Sequence, residues 1–401
     1  MKNTSEISVS TLDMKLSQEY VQVVLGMDQY YRETKKKTGE AALDKEGLVP
    51  INLTDELPRK YASWNEVIEE LMILRSKYLR VENEVRVNYM QQQIGSLIFL
   101  AKWCKGGAEQ PFRELVRGVL YVNENPLGRN EREALHVKLD HLLTKKGFTG
   151  SLFNKVSKWE EEQHVPAREM SGVLEDLLAK AKDQVVSKMF KAVEDVQVTP
   201  KVVYGVPYSA YCDYVNQSMY INGDLPYTLP ALKHLVTHES FPGHTTHMKI
   251  RELMTNSGQS PLDAGLVITN TASSSVFEGI GDNGALFIDW VDSIDDEIYF
   301  IYQRIRSISG LNAAHMLHAE KKSEEEVREF LKTFAFGNDN WIDSRLRFFN
   351  HPLRAPFIYG YWRGNEAVNQ VFNRVSSDRK QAFYNYLYQN MHSADTIKQF
   401  I

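Results

Sequence analysis

From about residue 15 to residue 105 apolar positions recur every three or four residues. The spacing is clearest in SWNEVIEELMILRSKYLRVENEV and predicts long amphipathic helices. A Gly- and Pro-containing stretch, KGGAEQPF, interrupts the pattern, which resumes through NEREALHVKLDHLL and SGVLEDLLAKAKDQVVSKMFKAVEDV. Around residue 200 the texture changes. TPKVVYGVPYSAYCDYVNQSMYING is rich in Tyr and Val, is punctuated by Pro and Gly, and reads as short strands and turns. Within it, NQSMYING is either an edge strand open to an extended peptide or a plain hairpin ending at Asn222-Gly223. Helical spacing then returns through TLPALKHLVTHES, VFEGIGDNGALFIDWV and SEEEVREFLKTFAF to SDRKQAFYNYLYQNM. The expected fold is mainly α, with a small β element just before a helix that opens at Thr228. A soft boundary falls near residue 198 without a Gly/Ser linker, so residues 1–198 read as a helical N-terminal lobe and residues 199–401 as a second lobe of one compact unit.

Composition narrows the class without choosing a function. Apolar residues make up 43% and charged residues 25%, which is ordinary globular usage and argues against disorder. Forty-seven Lys plus Arg against fifty-two Asp plus Glu give a net charge of −5, so nucleic acid is not an expected partner. The patch IGSLIFLA is too short to span a bilayer, and MKNTSEISVSTLDMKLSQEY lacks the basic-then-apolar pattern of an export signal. Cys104 and Cys212 are too few for a disulfide framework, and a cytoplasmic location fits a chain so poor in cysteine.

Chemistry concentrates in HESFPGH, residues 238 to 244. In the helix that opens at Thr228 and tolerates Pro230 in its first turn, Glu239 shares a stripe with Leu232, Leu235 and Val236. A carboxylate on an apolar stripe needs a cation, a hydrogen-bond network or a catalytic use. His238 beside it is a candidate metal ligand. Two histidines four residues apart on a helix face one zinc ion, but His244 lies six residues on, which turns its ring about 120° away on an unbroken helix. Pro242 cannot donate to the carbonyl of His238, and Gly243 permits unusual backbone angles, so the helix is expected to break there and return His244 to the site. Downstream, VFEGIGDNGAL offers Glu278 and, four residues on, Asp282. On a helix they share one face, where Glu278 is the third zinc ligand and Asp282 accepts the free ring N–H of a ligand histidine; Asp282 as a solvated turn residue is the plainer alternative.

HESFPGH is similar to the HExxPGH signature of domain-of-unknown-function family 885, whose members are regarded as zinc metallopeptidases, and EGIGDNGAL resembles the third-ligand segment of neprilysin-like gluzincins. The resemblance runs from about residue 200 to the C-terminus. It departs at Thr245, where the family has a second histidine, at EGIGDN in place of EGWALY, and at Ala314 or His315 in place of an acid. It implies a gluzincin-like metallopeptidase fold and a zinc cofactor.

The combined expectation is a Zn²⁺-dependent hydrolase of short peptides, with His238, His244 and Glu278 on the metal and Glu239 as general base. His247, three residues past His244, is either a supporting residue or a replacement for Glu278. Tyr361, in a YWRG context that resembles the family's Tyr-x-x-Gly element, is the candidate oxyanion donor. Tyr359, Arg354 and Arg363 crowd the same stretch as candidate substrate contacts, and an arginine there would suit a substrate carboxylate and carboxypeptidase or dipeptidase action. Aromatic residues at such spacing are otherwise simply core. His315 and His318 read as packing residues or as support for a ligand more readily than as a second metal site, and His234 as a surface residue. Two rivals stand beside this expectation: a zinc amidohydrolase acting on a non-peptide amide, and a catalytically silent helical binding protein.

Overall fold

The computed structural model describes residues 9–35, 39, 41–106 and 110–400. Helix dominates them and two small sheets complete them, so the architecture is mainly α. The helices used below are α1 (Thr11–Thr34), α2 (Trp64–Tyr78), α3 (Glu84–Gly106), α4 (Leu229–Glu239), α5 (His244–Asn256), α6 (Ser274–Asp282), α7 (Ile294–His318) and α8 (Arg354–Phe372). The strands are β1 (Ile51–Asn52), β2 (Thr199–Val203), β3 (Ala210–Asp213), β4 (Ser218–Asn222) and β5 (Leu266–Val267).

The run SWNEVIEELMILRSKYLRVENEV forms two helices, not one. Ser63 caps α2 by accepting from the Glu66 N–H, and Asn83 caps α3 by accepting from the Arg86 N–H at 3.0 Å. Periodicity alone does not reveal this break, because the apolar spacing continues across the caps.

The chain divides into two compact units. The first comprises residues 1–124, 247–279 and 359–401, and the second residues 125–246 and 280–358, so each draws on both sides of residue 198. In the first, α1, α2 and α3 bury Val21, Val24, Met27, Leu71, Leu74, Ile94 and Leu97, and β1 pairs antiparallel with β5. In the second, a cluster of Leu139, Leu143, Val156, Trp159, Ile298, Tyr302, Ile305 and Phe336 forms a core around α7. Its three-stranded sheet has the order β2-β4-β3, with β4 parallel to β2 and antiparallel to β3. NQSMYING thus contributes the central strand, which corrects the edge-strand reading: Ser218–Asn222 forms an antiparallel hairpin with β3, ending at Asn222, and also pairs with β2, so the edges are β2 and β3.

Candidate metal centre

The helix carrying the first two candidate residues starts as its sequence dictates. Thr228 accepts from the Ala231 N–H at 3.2 Å, and Pro230 sits in the first turn, where its missing N–H costs nothing. At the other end α4 stops at Glu239. The N–H groups of Ser240 and Phe241 both donate to the Val236 carbonyl, the Phe241–Pro242 peptide is cis, and α5 begins at His244. The carbonyls freed by the break find new donors. Thr245 Oγ1 donates to Glu239 O at 3.1 Å, and the Thr246 N–H donates to Ser240 O at 3.1 Å. Gly243 passes so close to the His238 carbonyl that a Cβ there would overlap it, so this turn admits no side chain. Its product is a close histidine pair: the rings of His238 and His244 lie 4.7 Å apart between centroids, at 84° to one another.

Ser274–Asp282 is one continuous helix, which sets Glu278 and Asp282 one turn apart. Asp282 Oδ1 lies 3.0 Å from His238 Nδ1. That bond makes Nδ1 the protonated nitrogen and Nε2 the ring's acceptor nitrogen. Gly281 brings the helix backbone against the same ring; a Cβ there would come within 2.7 Å of Nδ1. Donor atoms of His238, His244 and Glu278 lie within 4.8 Å of one another, and all three residues are buried. Zinc bonds of about 2.1 Å place two donors on one ion at most about 4.2 Å apart. The residues fit zinc by donor type as well, two imidazoles and one carboxylate.

Glu239 is 8% exposed. Burial, then the Glu239 carboxylate, pushes the Cys212 thiol up to about 12; burial also raises the Tyr208 and Tyr211 phenols, with Glu239 a smaller contributor to each. These groups on and beside β3 form the surroundings of the candidate base. Sequence reasoning did not single them out, since Tyr-rich strands are common.

Other expected site residues are placed elsewhere or otherwise engaged. His247 belongs to neither set of grouped donors; its ring packs on Phe277 at 5.7 Å and Tyr388 at 5.5 Å, and burial holds its pKa well below the ordinary value, with Arg251 and His392 adding to the depression. Its ring packs among aromatic side chains, and it is not grouped with the candidate ligands among the described residues. Tyr359 is completely buried and meets Phe112 edge-to-face, which makes it core and not a substrate contact. Arg363 donates to Asn123 O and to Glu366, both at 3.1 Å, so its fork is committed within the protein. Arg354 lies over the rings of Phe348 and Phe357. Tyr361 is partly exposed on α8. His318 bonds the Phe349 carbonyl at 2.8 Å, a packing role as expected.

His234 is the residue the sequence misplaced. One helical turn before His238, its ring lies 5.8 Å from that of His238, and its Nε2 is 3.7 Å from Asp282 Oδ1. Burial holds its pKa down at about 4, against the opposing pull of Asp282. The i, i+4 relation was visible in the sequence; its significance depended on Asp282 arriving from another helix.

No protein-family model matches the chain, and no curated protein matches it. Solved structures resemble it, two of them as follows. One, described as the "putative lipoprotein" from Colwellia psychrerythraea, has a TM-score of 0.57 at 12% identity and covers 99% of this chain and 76% of its own. The other, a "putative lipoprotein of unknown function" from Shewanella oneidensis, has a TM-score of 0.51 at 12% identity, covering 84% and 72%. These likenesses concern the fold alone. They overturn the kinship with family 885 and the neprilysin-like gluzincins suggested by two short motifs: seven- and nine-residue likenesses reproduce a local arrangement of ligands without extending to the chain that holds them. No helix among the described residues is long and apolar enough to cross a membrane. By fold, the chain is similar to these two proteins, each described as a "putative lipoprotein".

Proposed function

We propose that this protein is a zinc-dependent hydrolase of amide bonds, with short peptides as the substrate class. The observation that carries the reading is the buried His238–His244–Glu278 set, with Asp282 on the outer nitrogen of His238 and Glu239 next in the chain. A structural role alone would not call for two imidazoles and a carboxylate with grouped donor atoms in a buried place. A zinc ion there supplies Lewis acidity, which lowers the pKa of water toward neutrality.

The chain's own residues supply the rest. Asp282 holds the His238 imidazole in one tautomer and one orientation. Glu239 would take the proton of the attacking water as its oxygen adds to the carbonyl carbon and the C=O π bond opens, and would deliver it to the nitrogen as the carbonyl re-forms and the C–N bond breaks, so the amine leaves neutral. These roles are the same for a peptide and for a small non-peptide amide.

The test measures metal content and hydrolysis of a mixed peptide library and a panel of small amides, for the wild type and Glu239→Gln. The expected result is one tightly held zinc in both proteins and a 10²- to 10⁴-fold loss of hydrolysis in the variant. A wild type that binds no zinc, or cleavage that ignores the substitution, would overturn the reading. Cleavage confined to the small amides would keep the mechanism and change the substrate.

A further inference from the structure

A second group of donors adjoins the first: His234, His238 and Asp282 also have ligand atoms within 4.8 Å of one another. The two groups share only His238, and they differ in access. All members of the first are buried, whereas the His234 side chain is 15% exposed. Asp282 has one oxygen to spare. Oδ1 accepts from His238 at 3.0 Å and from Gln303 Nε2 at 3.4 Å, but the equally buried Oδ2 has no hydrogen-bond partner among the described residues, although the side chain is only 2% exposed. Leaving a buried carboxylate oxygen unsatisfied is costly, and a cation is one of the few partners that satisfies it fully.

We infer that His234 and Asp282 form a second, solvent-accessible site for a zinc-like divalent cation, whose occupancy weakens the first site. This inference rests on the metal-centre reading above. His234 Nε2 and Asp282 Oδ1 are 3.7 Å apart, inside the limit of about 4.2 Å for two donors on one ion. An imidazole with a single carboxylate selects zinc, cobalt or nickel over magnesium or calcium, which demand more oxygen ligands. With its side chain 15% exposed, His234 is the member of this group through which water would complete the coordination. Asp282 couples the two sites. A cation on its carboxylate withdraws electron density from the oxygen that accepts from His238, and His238 becomes a poorer ligand for the first ion. Free zinc concentration would then regulate hydrolysis in two phases, activating at the first equivalent and inhibiting at the second.

Equilibrium dialysis against Zn²⁺ alone, with bound metal quantified, tests this on the full chain. The wild type is expected to bind two equivalents, the second at least about tenfold more weakly, while its hydrolysis rises with the first and falls with the second. His234→Asn is expected to bind one, and the retained equivalent itself reports a folded first site. A wild type with a single equivalent, a second equivalent that survives His234→Asn, or loss of both equivalents in that variant would each overturn the inference. One equivalent together with Glu239-dependent hydrolysis would leave the proposed function standing; a wild type that binds none would remove both.

Discussion

Two regions of this molecule bury charge, and they do it differently. In the first unit Arg86 is gripped on every side. Its Nε donates to both oxygens of Asp13 at 3.1 and 3.0 Å, its two terminal nitrogens donate to the two oxygens of Asp263, and Tyr78 and Tyr89 present their rings to it. All three ionic side chains are at most 6% exposed. The guanidinium geometry is spent entirely on fixed protein partners, so this knot has no capacity left for a ligand. The histidine–carboxylate cluster is as deeply buried, yet it groups imidazole and carboxylate donors and leaves Asp282 Oδ2 without a partner. Burial of charge therefore does not mark a site; capacity directed at one point does. His247 sharpens the rule, because both its ring nitrogens lack partners but no other ligand is grouped with it.

The comparison breaks if the knot proves dispensable. Arg86→Met leaves Asp13 and Asp263 facing one another in a dry interior, and the expected cost is about 3–5 kcal/mol, read as a fall in the urea unfolding midpoint. An unchanged midpoint would mean that the carboxylates find other partners.

A smaller effect tests another buried ionisable group of the first unit, His392. Its Nε2 bonds the Tyr386 carbonyl at 2.8 Å, its Nδ1 is buried without a hydrogen-bond partner, and burial holds the pKa at about 4. A histidine whose folded pKa lies below its unfolded value binds its proton more readily when unfolded. Its stability contribution is therefore intact above about pH 6.5 and is lost as pH falls toward 4. Between pH 7 and 4.5 that loss should be about 2–3 kcal/mol. His392→Gln keeps the donor to Tyr386 and removes the titration, so its unfolding midpoint should fall less over the same interval. Equal slopes would show that the group does not titrate as its surroundings require.

The mildest perturbation acts on the cluster. Asp282→Asn keeps the shape but weakens the hold on His238 Nδ1, and zinc affinity at the first site should drop by about 10- to 100-fold, measured by competition with a chelator. A variant with wild-type affinity would reduce Asp282 to a packing residue.

Much of the cluster could be read from the sequence because its determinants are local. The Thr228 cap, the break at Pro242–Gly243 and the one-turn spacing of Glu278 and Asp282 all follow from residues within a few positions of one another. What the sequence did not announce has the opposite character. Arg86 meets Asp263 across 177 positions and Arg363 meets Asn123 across 240, and no periodicity encodes such pairings. Tyr359 looked like a substrate contact because an aromatic beside a glycine is equally plausible in a cleft and in a core; only its contact with Phe112 decides. The central position of Ser218–Asn222 depends on β2 returning parallel to it, which turn chemistry at Asn222-Gly223 does not announce.

The close passage of Gly281 against His238 has an entropic meaning. With the helix backbone against its ring and Asp282 on Nδ1, the imidazole has given up its rotamer choices during folding. Ordering a flexible side chain at the moment of binding commonly costs about 0.5–1.5 kcal/mol. At His238 that cost is met during folding, through the absence of a single methyl group at residue 281.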